Sequence, residues 1–124
     1  MAKYDGSEGG VIPLAEAAEW TANYRKQTPD PDVARAHVFG RNILQKLLAQ
    51  KRCVGIRMYY GLKPADNEEG YIKQLVLVGV DAEGNDLVAK GEGEDVTSED
   101  DLVVDRSSIC PPDCGSGSVL DGGG

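Results

Sequence analysis

Cys110-Pro-Pro-Asp-Cys114 is the sharpest local feature of the sequence. Two consecutive prolines stiffen the loop between the thiols and hold them close, so oxidation could close a short disulfide ring. A thiol pair that shuttles electrons is a poorer fit. Such pairs ordinarily have two intervening residues, and no helix start follows Cys114 to lower a thiol pKa. Two free thiols in a structured tail are the plainest alternative. The third cysteine, Cys53, makes the count odd and rules out a complete disulfide framework. It opens an apolar, strand-like run and is expected to be buried and unpaired. Zinc is the second chemistry on offer, because Cys53, Cys110, Cys114 and His37 are ligands of the right types. Their spacing is not that of a zinc knuckle, and His37 flanks an apolar helical stripe where one hydrogen bond would satisfy it. The four are weak metal candidates, and no metal or other cofactor is expected.

The carboxylates offer less. Asp81, Glu83, Asn85 and Asp86, with Glu92 further on, echo a calcium loop. The echo fails at the glycine, which sits at the fourth position instead of the sixth, and at the flanks, which read as strands. A hairpin turn explains the same residues. For nucleophilic catalysis there is one histidine, with no Ser, Cys or Asp that the spacing brings to it. Gly91-Glu-Gly93 would put negative charge where a phosphate should lie. Tyr59, Tyr60 and Tyr71 with Arg57, Lys63 and Lys73 could stack on and grip a single nucleic-acid strand. In a chain of net charge −8, packing of those tyrosines across a hairpin is the better account. No catalytic residue is assigned, and the chain reads as a non-enzyme.

The elements that would position these residues follow from periodicity. Pro13 suits a first helical position, Glu16 suits the dipole of a first turn, and the spacing of Leu14, Ala17, Ala18, Thr21 and Tyr24 predicts a helix over 13–27. Asp30 as cap and Pro31 at the first position predict a second helix over 32–51, with Ala36, Gly40, Ile43, Leu44, Leu47 and Leu48 as its apolar stripe. The period then changes to two. Residues 54–61 and 71–81 read as strands, 86–90 as a short third strand after the turn at 82–85, and 102–104 as a fourth at the edge. The expected architecture is α+β, two helices packed on an antiparallel meander of three to four strands. A flexible arm over 1–10 precedes the domain (11–105, with an acidic loop at 91–101), and a Cys-, Pro-, Gly- and Ser-rich tail over 106–124 follows it.

At 124 residues the chain has room for one core, built mainly from Leu, Val, Ile and Ala because aromatics are few. Ten acidic residues stand against Lys90 alone between Asp81 and Asp105, so that region repels nucleic acid and anionic membrane surfaces. A basic protein or a cation is the partner it would attract; a solvated loop is the plain reading. No stretch approaches the roughly 20 apolar residues of a membrane span. The opening residues lack the apolar core of a secretory signal, which points to the cytoplasm and leaves an extracellular assembly open.

The strand at 71–81 is apolar or bare on both faces from Leu75 to Val80, yet two helices cover only one face of a small sheet. With the helices assigned to the face of Val76 and Val78, the face of Tyr71, Leu75 and Leu77 is left to be covered by the tail or by another copy of the chain. Gly55-Ile-Arg-Met-Tyr-Tyr-Gly61, Gln74-Leu-Val-Leu-Val-Gly-Val-Asp81 and the Cys-Pro-Pro-x-Cys tail together resemble a group of short uncharacterised bacterial proteins. The resemblance spans about residues 12–120 and implies a bacterial origin but no activity. The functional expectation is a structural or interaction module that self-associates, as a homo-oligomer, filament or tube. Its contacts would be Tyr71, Leu75, Leu77, Pro111, Pro112, Val119 and Leu120. The alternative is a metal- or redox-responsive binding protein using Cys53, Cys110 and Cys114.

Overall fold

The computed structural model of the chain describes residues 2–30, 33–65, 70–88, 102–112, 114, 115, 117, 118 and 120. The acidic loop at 91–101, Pro31, Asp32 and Val119 lie outside the described residues. The fold is α+β. In chain order the elements are α1 (Leu14–Gln27), β1 (Ala36–Val38), α2 (Arg41–Leu48), β2 (Gly55–Pro64), β3 (Tyr71–Val80), β4 (Val103–Val104) and β5 (Ser108–Cys110). Two antiparallel sheets result, one in the order β2-β3-β4 and a small ribbon of β1 with β5. No described helix is long and apolar enough to cross a membrane.

Helix α1 starts one residue later than expected: Pro13, expected at the first helical position, is extended at the N-cap and Leu14 opens the helix, with Glu16 in the first turn and Arg25 and Lys26 in the last. It buries no residue completely. Two side chains of its last turn anchor it: the Tyr24 hydroxyl donates to the Ala34 carbonyl at 3.0 Å, and Arg25 donates to the Leu120 carbonyl at 2.8 Å.

The second helix is shorter than its apolar stripe suggested. It begins at Arg41, after an extended Gly40, and ends at Leu48, ahead of Arg52 in the left-handed region at φ 69°. Residues 36–38, expected within the helix, form β1 instead and pair with β5: Ala36 with Cys110, His37 with Ile109, Val38 with Ser108. The tail supplies the backbone partners that a first helical turn would otherwise have made. What survives of the stripe is its C-terminal half, with Leu47 fully buried and Ile43 and Leu44 packed against the same core.

Strands β2 and β3 form a ten-residue hairpin in the register Gly55 with Val80 through Pro64 with Tyr71. On the far side of β3, β4 pairs Val104 with Leu77 and Val103 with Val78. The expected third strand is reduced to a bridge between Asp86 and Val80 and a Leu87 N–H donated to the Gly79 carbonyl at 2.8 Å. Ala89 and Lys90, which would have extended it, are outside the described residues.

The core is Leu47 of α2, Leu77 of β3 and Val104 of β4, with Phe39, Ile43, Leu44, Ile56, Leu75 and Leu102 packed around them. This inverts the expected facing of β3: α2 covers Leu75 and Leu77, not Val76 and Val78. Alternation could not choose between two equally apolar faces, and Gly79 does. A methyl group built on Gly79 would meet Gln50 Nε2 at 2.8 Å and Cys53 Sγ at 3.0 Å. Only a glycine on that face lets the connection from α2 into β2 lie so close. Gln50 holds the arrangement, donating to the Leu47 carbonyl at 3.0 Å and accepting the Leu102 N–H at 3.0 Å. On the opposite face Val78 and Val80 are also buried. The N-terminal arm is tied beside the turn that follows β3, where the N–H groups of Lys3 and Tyr4 both donate to the Ala82 carbonyl.

Candidate interaction surface and groove

The β2–β3 hairpin changes character along its length. Its base, Leu77 to Val80, is buried; its other end is bare, with Tyr60 95%, Leu62 63% and Tyr71 68% exposed. Alternation puts Met58, Tyr60 and Leu62 on the face that α2 covers at the base, but Met58, like the other two, lies in the open at 57%. Strand β2 is also the end strand of its sheet, so among the described residues nothing pairs with its outer edge. A long edge strand with apolar side chains is a template for another strand, and proteins ordinarily protect such edges with charge or proline. Here the protection is confined to the end, at Lys63 and Pro64. Arg57 is already engaged.

Arg57 reaches over the opposite face to Asp86, to the Tyr4 hydroxyl at 3.0 Å and to the Gly84 carbonyl at 3.2 Å; Tyr59 donates its hydroxyl to Asp86 as well. These hydrogen bonds, Tyr4 first, with the Asp86 charge behind them, hold the Arg57 guanidinium firmly protonated. The cluster joins the arm, the turn after β3 and β2, and it is structural. Tyr4 of the arm takes the Arg57 hydrogen bond, and with Gly6 and Glu8 it faces Val54–Arg57 across a shallow cavity at the start of β2. The free run of the edge therefore begins at about Met58.

Beside this end of the hairpin lies a groove of about 640 Å³. Its floor is made of two cross-strand pairs, Tyr60 with Leu75 and Leu62 with Lys73. Its walls are Tyr24 at the end of α1 and residues 34–37 leading into β1. Lys73 Nζ donates to the Tyr24 hydroxyl at 2.8 Å and sits 5.0 Å from the centre of its ring. His37 Nδ1 lies 2.8 Å from Ser107 Oγ. Burial lowers the pKa of this imidazole, against a smaller upward pull from Asp105. Neither the groove nor the Arg57 cluster could be read from local sequence, since Tyr24, Ala36 and Lys73 belong to three separate elements.

The candidates named from sequence are scattered. Cys110 and Cys114 form a disulfide, the former buried and the latter partly open, with Arg35 donating its backbone N–H to the Cys110 carbonyl at 2.6 Å. Cys53 is free and half-buried, and its thiol donates to the Gly55 carbonyl at 3.2 Å. Among the described residues no group of three or more His, Cys, Asp and Glu is placed to hold a metal ion. At the supposed calcium loop, Asp81 Oδ1 instead accepts the N–H groups of Glu83 and Asn85 at 3.0 and 2.9 Å, and these bonds, Asn85 first, lower its pKa. Of the expected self-association residues, Leu77 is wholly buried in the core and offers no surface, and Leu75 is half-buried on the groove floor. Tyr71 and Pro112 are exposed, Pro111 is half-buried and Val119 lies outside the described residues. Leu120 is exposed, but its carbonyl is bound by Arg25 of the same chain. No family model, no curated protein and no solved structure matches this chain.

Proposed function

We propose that the protein is a non-enzymatic interaction module that self-associates, and that two copies join through the outer edges of their β2 strands. The observation that carries this reading is the open edge from Met58 to Pro64 with its uncovered apolar side chains. The tail, expected to contribute contacts between copies, is occupied within its own chain through β1 and Arg25.

The side chains restrict how two edges can meet. A twofold axis normal to the sheet keeps each face on its own side, so one residue of β2 must lie opposite its own copy. Centring on Tyr60 sets Arg57 against Lys63, a like-charge pair. Centring on Tyr59 runs the partner strand along Gly55–Arg57, where the N-terminal arm already lies. Centring on Gly61 avoids both. It sets Met58 opposite Pro64, Tyr60 opposite Leu62 on the apolar face, and Tyr59 opposite Lys63 on the other, where ring and ammonium attract. Such a contact is isologous and closes at two copies; a filament would need a second contact.

A cysteine at the axis tests this. Position 61 tolerates a side chain, since a methyl group there meets nothing nearer than 3.8 Å. In a Cys53→Ala background, Gly61→Cys should form a covalent dimer under mild oxidation, and Met58→Cys, which would face Pro64 of the other copy, should not. Light scattering should give a dimer for the unmodified chain and a monomer for Tyr60→Lys. A monomer at every concentration, with no cross-link at position 61, would reject the proposal. The redox-responsive alternative draws its support from the Cys110–Cys114 disulfide alone, because Cys53 stands apart with its thiol bonded to Gly55.

A further inference from the structure

The groove beside the hairpin combines an apolar floor with a cation that has no carboxylate partner among the described residues. Lys73 donates one hydrogen bond, to a neutral phenol, and its ammonium has two more N–H groups to give. The phenol's own hydrogen is committed to the Ala34 carbonyl, so Tyr24 fixes the ammonium without neutralising it. Around this charge stand Tyr60, Leu62 and Leu75 from the sheet, and the opposite wall carries Ala34 and Ala36 with Arg35 and His37 between and beside them. A charge seated at the margin of an apolar trough suits a ligand whose own charge is at one end. The volume, about 640 Å³, lies within the range of roughly 300–1,000 Å³ usual for small-molecule sites.

We propose that this groove binds a linear aliphatic monocarboxylate, its carboxylate on Lys73 and its chain laid over Tyr60, Leu62 and Leu75. Of the two cations that line the groove, Arg35 on the β1 wall turns its guanidinium to Cys114 Sγ at 4.0 Å, and Lys73 is the one beside the apolar floor, where its single ammonium matches one negative charge. The aliphatic body gains by removing exposed Tyr60 and Leu62 from water. The site goes beyond the self-association reading, because its walls and its cation all come from one chain, although Tyr60 and Leu62 of its floor also border the proposed edge contact.

Decanoate is a suitable probe, titrated below its micellar concentration into the isotopically labelled full-length protein and followed by amide NMR. Saturable shifts at Tyr24, Ala36, Tyr60, Lys73 and Leu75 are expected. Lys73→Met, which keeps the aliphatic stem, should weaken binding by about tenfold or more, the loss of one charge-assisted hydrogen bond. Lys46→Met, on the exposed side of α2, should leave it unchanged, and decanol should bind the native chain as weakly as decanoate binds Lys73→Met. Absence of saturable shifts at the groove, equal binding by Lys73→Met and the native chain, or equal binding of decanol and decanoate would each overturn the proposal. Unperturbed resonances elsewhere in Lys73→Met would show that the variant is folded. The readout is per residue, so it stands apart from whether Gly61→Cys cross-links.

Discussion

The two ends of one hairpin teach more than the hairpin as a whole. At the base, Leu77, Val78 and Val80 are no more than 5% exposed. A few residues along the same two strands, Tyr60 and Leu62 stand almost free in solvent. Both ends are apolar, both belong to one continuous register, and hydrophobicity along the strands does not distinguish them. What distinguishes them is reach. Helix α2 is only eight residues long and β4 only two, so they cover the base and stop. The base is where the chain gains its stability, and the other end is apolar surface left for something else to cover.

The contrast can be broken most sharply at its extremes. Leu77→Ala should cost about 2–5 kcal/mol in urea denaturation, because it opens a cavity beneath Leu47. Tyr60→Ser, compared at a concentration low enough for the chain to be monomeric, should stay within about 0.5 kcal/mol, as befits a residue that touches little within its own chain. Equal costs would mean that the two ends share one core after all. A smaller effect is expected at Gly79, where an added methyl group collides with Gln50 and Cys53; Gly79→Ala should lose about 1–3 kcal/mol to overpacking. Gly55→Ala, meeting only Val80 Cγ2 at an ordinary 3.6 Å, should not.

The smallest effect is a difference in pH response. His37, in the ribbon beside the exposed end, has its pKa lowered in the folded chain, so folding favours the neutral ring. Its contribution is complete above the ordinary imidazole value of about 6.5 and is lost as the pH falls through it, because the unfolded chain takes up the proton more readily. Asp81, at the base, is also lowered, but its contribution persists until the pH falls to about 4 and below, the range of an ordinary carboxylate. Stability followed from pH 8 to pH 3 should therefore decline in two windows. His37→Gln should remove the upper one and leave the lower. Loss of both together would refute the separation.

Much of the architecture was legible because it is local. The start of α1 is written in Pro13 and Glu16, and the hairpin in the alternation of residues 54–61 and 71–81. The Ile43, Leu44 and Leu47 stripe marks α2. The errors fall where a distant segment decides. Residues 36–38 have a helical pattern in isolation, and they become a strand because residues 108–110 come to pair with them. The facing of β3 was undecidable by period alone, since Leu75 and Leu77 are no more apolar than Val76 and Val78. Gly79, which decides it, reads in sequence only as a gap in the strand. The groove was illegible for the same reason: Tyr24, Ala36, Tyr60 and Lys73 share no spacing that periodicity could reveal.

The ribbon of β1 and β5 has a consequence for how the molecule is made. His37 meets its partner Ser107 across 70 residues of chain. At a synthesis rate of about 5–20 residues per second, β1 spends roughly 4–14 s on the ribosome before β5 exists. During that interval α2 and the hairpin can associate through contacts closer in sequence, which form earlier as a rule. The nascent chain would then pass through a stage in which the sheet is built while the wall containing Ala36 and His37 has no strand partner. Any companion protein that masks apolar surface during synthesis would find Tyr60 and Leu62 as open then as in the finished chain, but with the wall beside them not yet fixed.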